Sequence, residues 1–120
     1  MKTIKVINER NDVILLCRVA DTFFSRFCGL MFQKEISPDS GLILSESSES
    51  VLNSSIHMLF MRFNIAVIWL NKENIVVCKT LAKKWHPAYF SVKPANQIIE
   101  THTSNFVKFN IGDHIQIKSM

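Results

Sequence analysis

Apolar and polar residues alternate over several short stretches of the chain, a pattern that indicates β-strands with one buried face. Residues 4–6 and 13–19 are apolar or β-branched on either side of the polar run 8–12, which predicts a hairpin. Further strands are predicted at 42–44, 75–81, 97–101 and 114–118. Turn residues at 37–41, 71–74 and 112–113 separate these runs. The pattern therefore predicts a mainly β chain.

One stretch has a helical repeat instead. Its large apolar residues recur at three- and four-residue spacing, namely Phe23, Phe24, Phe27, Leu30 and Met31. Asp21 can cap the start of a helix and Gly29 can end one, so a short helix is predicted over 22–28. A helical turn is predicted at 105–109, an acidic solvated loop at 45–50 and an irregular basic segment at 82–93.

The longest apolar segment runs from Ile56 to Leu70 and is apolar at odd and even positions alike. Strands that are covered on both faces have this composition. Its 15 residues are many for one strand, so a turn or bulge at 62–64 is expected to divide it into two buried strands. The segment is too short for a bilayer and contains Arg62, so no membrane span is expected.

Length and composition favour one domain over residues 1–120. A chain of 120 residues that is 48% hydrophobic can build one core, whereas two halves would each have too little apolar surface to bury. We expect a compact, single-domain antiparallel barrel or sandwich, mainly β with minor α in one or two short helices. Consecutive strands joined by short turns favour such antiparallel arrangements.

Charge and cysteine content narrow the functional classes. A net charge of +4 is low for a dedicated nucleic-acid binder, so nucleic acid is not the expected partner. Three widely spaced cysteines do not fit the paired pattern of a secreted disulfide scaffold. No signal peptide is visible at the first residues, and a soluble, cytoplasmic protein is therefore expected.

Several fragments together resemble one family. The run 26–31 reads R-x-x-G-L-M, 41–44 is a Gly-led apolar strand, 56–63 reads I-H-x-x-F-M-x-x, and Glu100 and Gly112-Asp113 follow at suitable spacing. These fragments resemble the domain of unknown function 192 family, also called uncharacterised protein family UPF0127. The resemblance implies a compact, mostly β fold and supplies no activity. The chain departs from it at 64–66 and 104, where a Pro, an Asp and a Gly that are common in the family are missing.

Five residues are candidates for ligand binding: Arg62, His57, Met61, Glu100 and Arg26. Arg62 lies in the most apolar segment, where it either clamps an anion or reaches solvent through a turn. If it is buried, Glu100 and Asp113 are the partners to test. His57 becomes a ligand or a base only with a partner, and a histidine satisfied by one backbone group is the more frequent case.

No catalytic residue, metal or cofactor is predicted. Glu100 and His102 face one side if they share a strand, but two such residues are too few for a metal site. Glycine occurs at 29, 41 and 112 alone, so no Gly-rich phosphate loop is present.

Three functional hypotheses remain. The first is a small non-enzymatic binding or accessory domain, with a pocket or groove near 56–70 for a small anion or a protein partner. The alternative is a small enzyme, for example a hydrolase, that uses Arg62, His57 and a carboxylate. Nucleic-acid binding by the basic and aromatic residues of 79–89 is the weakest of the three. The sequence leaves the oligomeric state open.

Overall fold

The computed structural model describes residues 2–20, 22, 25, 28–31 and 33–120. Seven strands and one 3-10 helix form within them: β1 Thr3–Asn8, β2 Ile14–Ala20, β3 Ser40–Ser50, β4 Ile65–Leu70, β5 Val76–Ala82, β6 Ala95–Thr101, the 3-10 helix Thr103–Lys108 and β7 Ile115–Ser119. The predicted mainly β class with minor helix is confirmed. The helix predicted over 22–28 lies mostly outside the described residues.

All seven strands belong to one sheet in the order β5-β4-β6-β3-β2-β1-β7. Its neighbouring strands are antiparallel except β2 and β3, which are parallel. The sheet is therefore mixed rather than wholly antiparallel as expected. Parallel neighbours need a long crossover, and the segment 21–39 between these two strands is long enough to supply it.

The sheet folds over itself in a sandwich-like manner, and its two edge strands meet at one end. Ile75 and His114 form an isolated bridge beside β5 and β7. Next to it, the backbone N–H of Val76 donates to the carbonyl of Asp113 at 2.9 Å. The contact is confined to this end, so the sheet does not close into a barrel along its length.

Both faces of the central strands are buried, which creates two hydrophobic cores. The inner core joins β1, β2 and β7 to one face of the central strands, with members such as Val6, Ile68 and Ile115. The outer core lies on the opposite face, where Trp69 and Ile98 pack against loop residues such as Met58. All six residues of β4 are buried, as the apolar residues at both odd and even positions predict.

The first half of the 56–70 segment is not a strand, and this prediction was wrong. Ile56 forms one bridge with Tyr89, and the chain then turns at 58–61, where the N–H of Met61 donates to the carbonyl of Met58 at 3.3 Å. Phe60 adopts a left-handed backbone with φ of 62° at this turn. Ile56, Met58 and Met61 are buried because they belong to the outer core, which accounts for their apolar character without a strand, whereas Leu59 and Phe60 are exposed.

Most of the other predicted elements are confirmed, with one extension. The β1–β2 hairpin, the turn at 71–74, the irregular segment after β5 and the last strand occur where expected, and the helical turn is the 3-10 helix. The predicted acidic loop 45–50 instead continues β3, whose Ser45 pairs with Gln97 and Ser50 with Ala95 across an irregularity. Backbone pairing with β6 outweighs the polar composition there.

Asp113 links the elements that meet at the closed end of the sheet. Its carboxylate accepts hydrogen bonds from Asn8 Nδ2 at 2.8 Å, Arg10 Nε at 2.9 Å and the N–H of Asn110 at 2.8 Å. Asp113 therefore pairs with Arg10 and not with Arg62. Burial alone would raise the pKa of Asp113, but these hydrogen bonds outweigh it and hold the pKa below the usual 3.8.

No helix in the described part of the chain is long and apolar enough to cross a membrane.

Substituting Asp113→Asn should lower the free energy of unfolding at pH 7 by about 2–3 kcal/mol, since a buried charged acceptor is lost. The native pKa lies below the unfolded value, so the contribution of the carboxylate is present above the usual 3.8 and disappears as pH falls through the native pKa. Urea unfolding should show a smaller difference in the free energy of unfolding between the wild type and Asp113→Asn at pH 3 than at pH 7. The exposed Asp39→Asn variant is the control. An equal loss for both variants at pH 7 would contradict the role of Asp113.

Candidate ligand-binding site

A cavity of about 190 Å³ lies between the outer face of the sheet and the loops that cover it. Leu44 of β3 and Ile98 of β6 form its sheet side. Leu30, Ile56 and Met61 form the apolar part of its loop side. The cavity remains because the covering loops do not pack against every residue of the outer face.

Glu100 lies in the sheet wall of this cavity and is 4% exposed. It stands two residues after Ile98 on β6, so both side chains point to the outer face. Its neighbours across the sheet are Leu42 of β3 and Val67 of β4, which offer its carboxyl no side-chain partner. Burial raises the pKa of Glu100 to about 7.

The structure gives the Glu100 carboxyl no hydrogen bond or ion pair with any residue that it describes, and burial raises its pKa. A buried carboxyl in this state costs free energy unless a donor reaches it. Near pH 7 both its protonated and its ionised forms are populated, so it can donate or accept a hydrogen bond.

His57 and Met61 reach the same cavity from the 56–61 loop. Backbone hydrogen bonds fix this loop against the basic segment: Tyr89 N–H donates to the carbonyl of Ile56 at 2.8 Å, and Trp85 N–H donates to that of Met58 at 2.7 Å. His57 is half-buried and Met61 is buried. The loop therefore holds an imidazole and a thioether against the cavity without a regular strand.

A second anchor holds the rim of the cavity. The indole Nε1 of the buried Trp69 donates to the carbonyl of Ser54 at 2.7 Å. The Ser54 hydroxyl in turn donates to the carbonyl of Ser50. Asn53 and Ser55, on either side of Ser54, both line the cavity. The outer core thus fixes the polar rim through a single tryptophan.

The structure brings together three of the five predicted site residues, His57, Met61 and Glu100. Arg62 is exposed and does not line the cavity, as expected if a turn carries it to solvent. Arg26 lies outside the described residues. The three-residue enzyme hypothesis therefore loses its Arg62, while His57 and a carboxylate do share a cavity.

Other lining residues were not predicted from the sequence. Leu44 and Ile98 lie in short apolar runs that look like ordinary core, and Cys28 lies inside the R-x-x-G-L-M run without a ligand-type partner nearby in sequence. The signal shared by Leu44 and Ile98, alternation on the face that carries Glu100, identifies them only once the pairing of β3 with β6 is known.

His102 has a structural role outside the cavity. Its Nδ1 accepts a hydrogen bond from the N–H of Ser104 at 3.0 Å and so caps the 3-10 helix. Within the described ranges, no three His, Cys, Asp or Glu side chains converge as they would around a metal ion.

Comparisons with known proteins agree on one family. The model of the DUF192 family, described as an uncharacterised ACR, matches residues 5–117. A UPF0127 protein of Pyrococcus furiosus is 39% identical over 95% of this chain and 97% of its own length. A UPF0127 protein of Thermococcus kodakarensis is 43% identical over 69% of this chain and 51% of its own.

Two crystal structures have the same fold. A Sinorhizobium meliloti protein, described as a candidate transcription regulator, superposes with a TM-score of 0.84 over 97% of this chain and 92% of its own. A Novosphingobium aromaticivorans protein of unknown function superposes with a TM-score of 0.82 over 95% of this chain and 83% of its own. Each is 15% identical, so the likeness concerns the fold alone.

Substituting Glu100→Gln should stabilise the protein in alkaline solution and not in acid. The native pKa of about 7 lies above the ordinary 4.5, so proton uptake favours the folded state below pH 4.5 and this contribution is lost as pH rises through 7. At pH 9 the variant should be more stable by about 2–3 kcal/mol, whereas at pH 4 the two proteins should be nearly equal.

Urea unfolding across this pH range measures the difference, with the exposed Glu73→Gln as the control for lost charge. A stability difference that stays constant from pH 4 to pH 9 would show that Glu100 is not a buried, unpaired acid.

Proposed function

Because the chain belongs to the DUF192 family, which carries no assigned activity, we propose from its own geometry that it is a non-enzymatic domain that binds a small molecule in the Glu100 cavity. The observation that carries this proposal is the buried carboxyl of Glu100, which has no partner among the described residues and lines an apolar cavity. A polar group on a ligand would supply the missing hydrogen bond and recover about 1–3 kcal/mol of desolvation cost.

The size of the cavity limits the ligand. An apolar cavity of about 150 Å³ is known to hold benzene, and this one measures about 190 Å³. The ligand is therefore a compact molecule of roughly six to ten non-hydrogen atoms. Its apolar body packs on Leu44, Ile98 and Met61 while its polar group reaches Glu100.

The small-anion version of the binding hypothesis has less support than a neutral or cationic ligand. The cation that motivated it, Arg62, is outside the cavity. Among the described lining residues, His57 is the one that can carry a positive charge. We keep the cytoplasm as the proposed location, because three unpaired cysteines fit a reducing compartment.

A thermal-shift series with phenol, benzyl alcohol and indole at millimolar concentration tests small-molecule binding. At least one of these compounds should raise the melting temperature of the full chain, because a ligand at 100 times its Kd adds about 2.7 kcal/mol of stability. The Met61→Phe variant, which fills the cavity, should lose this response, while Met61→Leu should retain most of it. A wild-type protein that none of the compounds stabilises would contradict the proposal.

A second candidate function, docking of a protein partner, is favoured by a separate surface. We call the exposed ring pair of Phe60 and Trp85 the aromatic platform. The ring centroids lie 5.1 Å apart in an edge-to-face arrangement, and the residues are 45% and 56% exposed. Both have left-handed backbones, with φ of 62° and 68°. Such conformations cost about 1–3 kcal/mol each in a bulky residue, so the backbone that presents these rings lowers the stability of the fold.

Charges near the platform indicate the kind of partner. Arg62, Lys83 and Lys84 are exposed on the two loops that carry the rings. Aromatic anchors with a charged rim are typical of protein interfaces, and this rim fits an acidic segment with one apolar side chain. Nucleic acid is less favoured, because Lys79 is engaged: its Nζ donates to the carbonyl of Phe106 at 2.9 Å and lies 4.2 Å from that ring's centroid.

Titration with the peptide Asp-Asp-Phe-Asp-Asp should quench the fluorescence of Trp85. The affinity for the peptide should fall as the salt concentration rises. The matched peptide Lys-Lys-Phe-Lys-Lys should bind at least tenfold more weakly because its charges repel the rim. The Lys83→Glu/Lys84→Glu variant should reverse this preference, whereas Lys118→Glu on β7 should not. Equal binding of both peptides, or preference for oligo-dT over the acidic peptide, would contradict the docking role.

A further inference from the structure

We infer that the ligand of the Glu100 cavity is a cation: a compact apolar amine whose ammonium group pairs with the Glu100 carboxylate. The inference rests on the small-molecule function proposed above and names the chemical class of the ligand. It draws on the geometry around Glu100 and on the charges that face the cavity.

The position of Glu100 in the sheet makes its carboxyl dependent on a ligand. Glu100 is on β6 between two paired strands, so the neighbouring backbone N–H groups serve the sheet ladder. The side chains beside it on the outer face, Leu42 and Val67, are apolar. An ammonium group brings three donors and a positive charge, and hydrogen bonds between charged groups are about twice as strong as neutral ones.

The charge of Glu100 itself favours a positive over a negative ligand. Among the described lining residues, the titratable groups that share the space with Glu100 are Glu46, His57 and Cys28. In the low dielectric of a largely apolar cavity, the negative charge of ionised Glu100 acts strongly on a bound charge.

The apolar walls determine the rest of the molecule. Leu30, Leu44, Met61 and Ile98 surround a space of about 190 Å³, which matches one ring with a short substituent. A strongly hydrated polyamine or a metal ion would leave these walls without contacts. Benzylamine has a suitable shape, and benzyl alcohol and benzoate are its near-isosteric neutral and anionic counterparts.

The charge state of Glu100 should make the affinity for an amine depend on pH. Burial raises the pKa of Glu100 to about 7, and an ammonium group pairs with the ionised form. The affinity for an amine should therefore rise about tenfold between pH 6 and pH 8, as the ionised fraction rises from about one tenth to about nine tenths. The neutral alcohol lacks a charge that responds to this ionisation and should show a much smaller change.

Isothermal titration calorimetry of the full chain tests the inference by measuring the affinities for benzylamine, benzyl alcohol and benzoate at pH 6 and pH 8. At pH 8 benzylamine should bind at least tenfold more tightly than benzyl alcohol, and benzoate should bind most weakly. Glu100→Gln should abolish the preference for the amine and its pH dependence. Glu73→Gln, which removes an exposed charge from the turn after β4, should leave both unchanged.

Each result separates the two proposals. If benzyl alcohol binds as tightly as benzylamine at pH 8, the cation inference is overturned while small-molecule binding stands. If benzoate binds best, the site takes anions and the inference is likewise overturned. If none of the three compounds binds, and none of the thermal-shift compounds raises the melting temperature, both the cation inference and the proposed function are overturned. The wild-type pH series decides the question even if Glu100→Gln does not fold.

Discussion

Burial of the central strands on both faces is the constraint from which the rest of this architecture follows. A sheet whose β4 is apolar on both faces and whose β6 presents Ile98 and Ile99 to opposite faces needs a cover for each face, since exposed apolar area costs about 25 cal/mol per Å². The inner face is covered by the other strands of the same sheet. The outer face is covered by loops, which cannot match the regular surface of a sheet everywhere. The cavity is the space left by this mismatch.

The two ends of the chain stabilise the folded-over sheet through polar contacts. Asn8 belongs to β1 and Asp113 precedes β7, and their hydrogen bond joins segments 105 residues apart in sequence. Because both are buried, this link is shielded from water and depends little on salt. The cavity lies on the opposite face from the inner core, so the Asn8–Asp113 contact is separate from the polar groups that are open to a ligand.

Sequence patterns predict this fold where local chemistry decides the outcome. The β1–β2 hairpin, the 71–74 turn and β7 follow from alternation and turn residues that act over a few positions. The patterns fail where a partner distant in sequence decides. Residues 45–50 become strand because β6 lies beside them, and Ile56, Met58 and Met61 are buried because they cover Trp69 and its neighbours. Neither neighbour can be read from local composition.

The candidate site was predictable to a similar extent. The sequence singles out His57, Met61 and Glu100 as polar or unusual residues in apolar surroundings, and these residues line one cavity. The same ground singles out Arg62, which follows the turn at 58–61 and is exposed outside the cavity. The apolar lining from Leu44 and Ile98 becomes visible only through the register of β3 and β6.

The pairing of β1 with β7 also has a consequence for how the protein is made. These strands are the first and last in sequence, and their ladder joins Ile4 to Ser119. Because β7 follows β1 in sequence, a ribosome leaves β1 without one of its two neighbours until β7 has also been synthesised. During that interval the exposed edge of β1 is open to pairing with other chains. Its alternation of Lys5 with apolar neighbours places a charge on that edge strand, which discourages such pairing until β7 arrives.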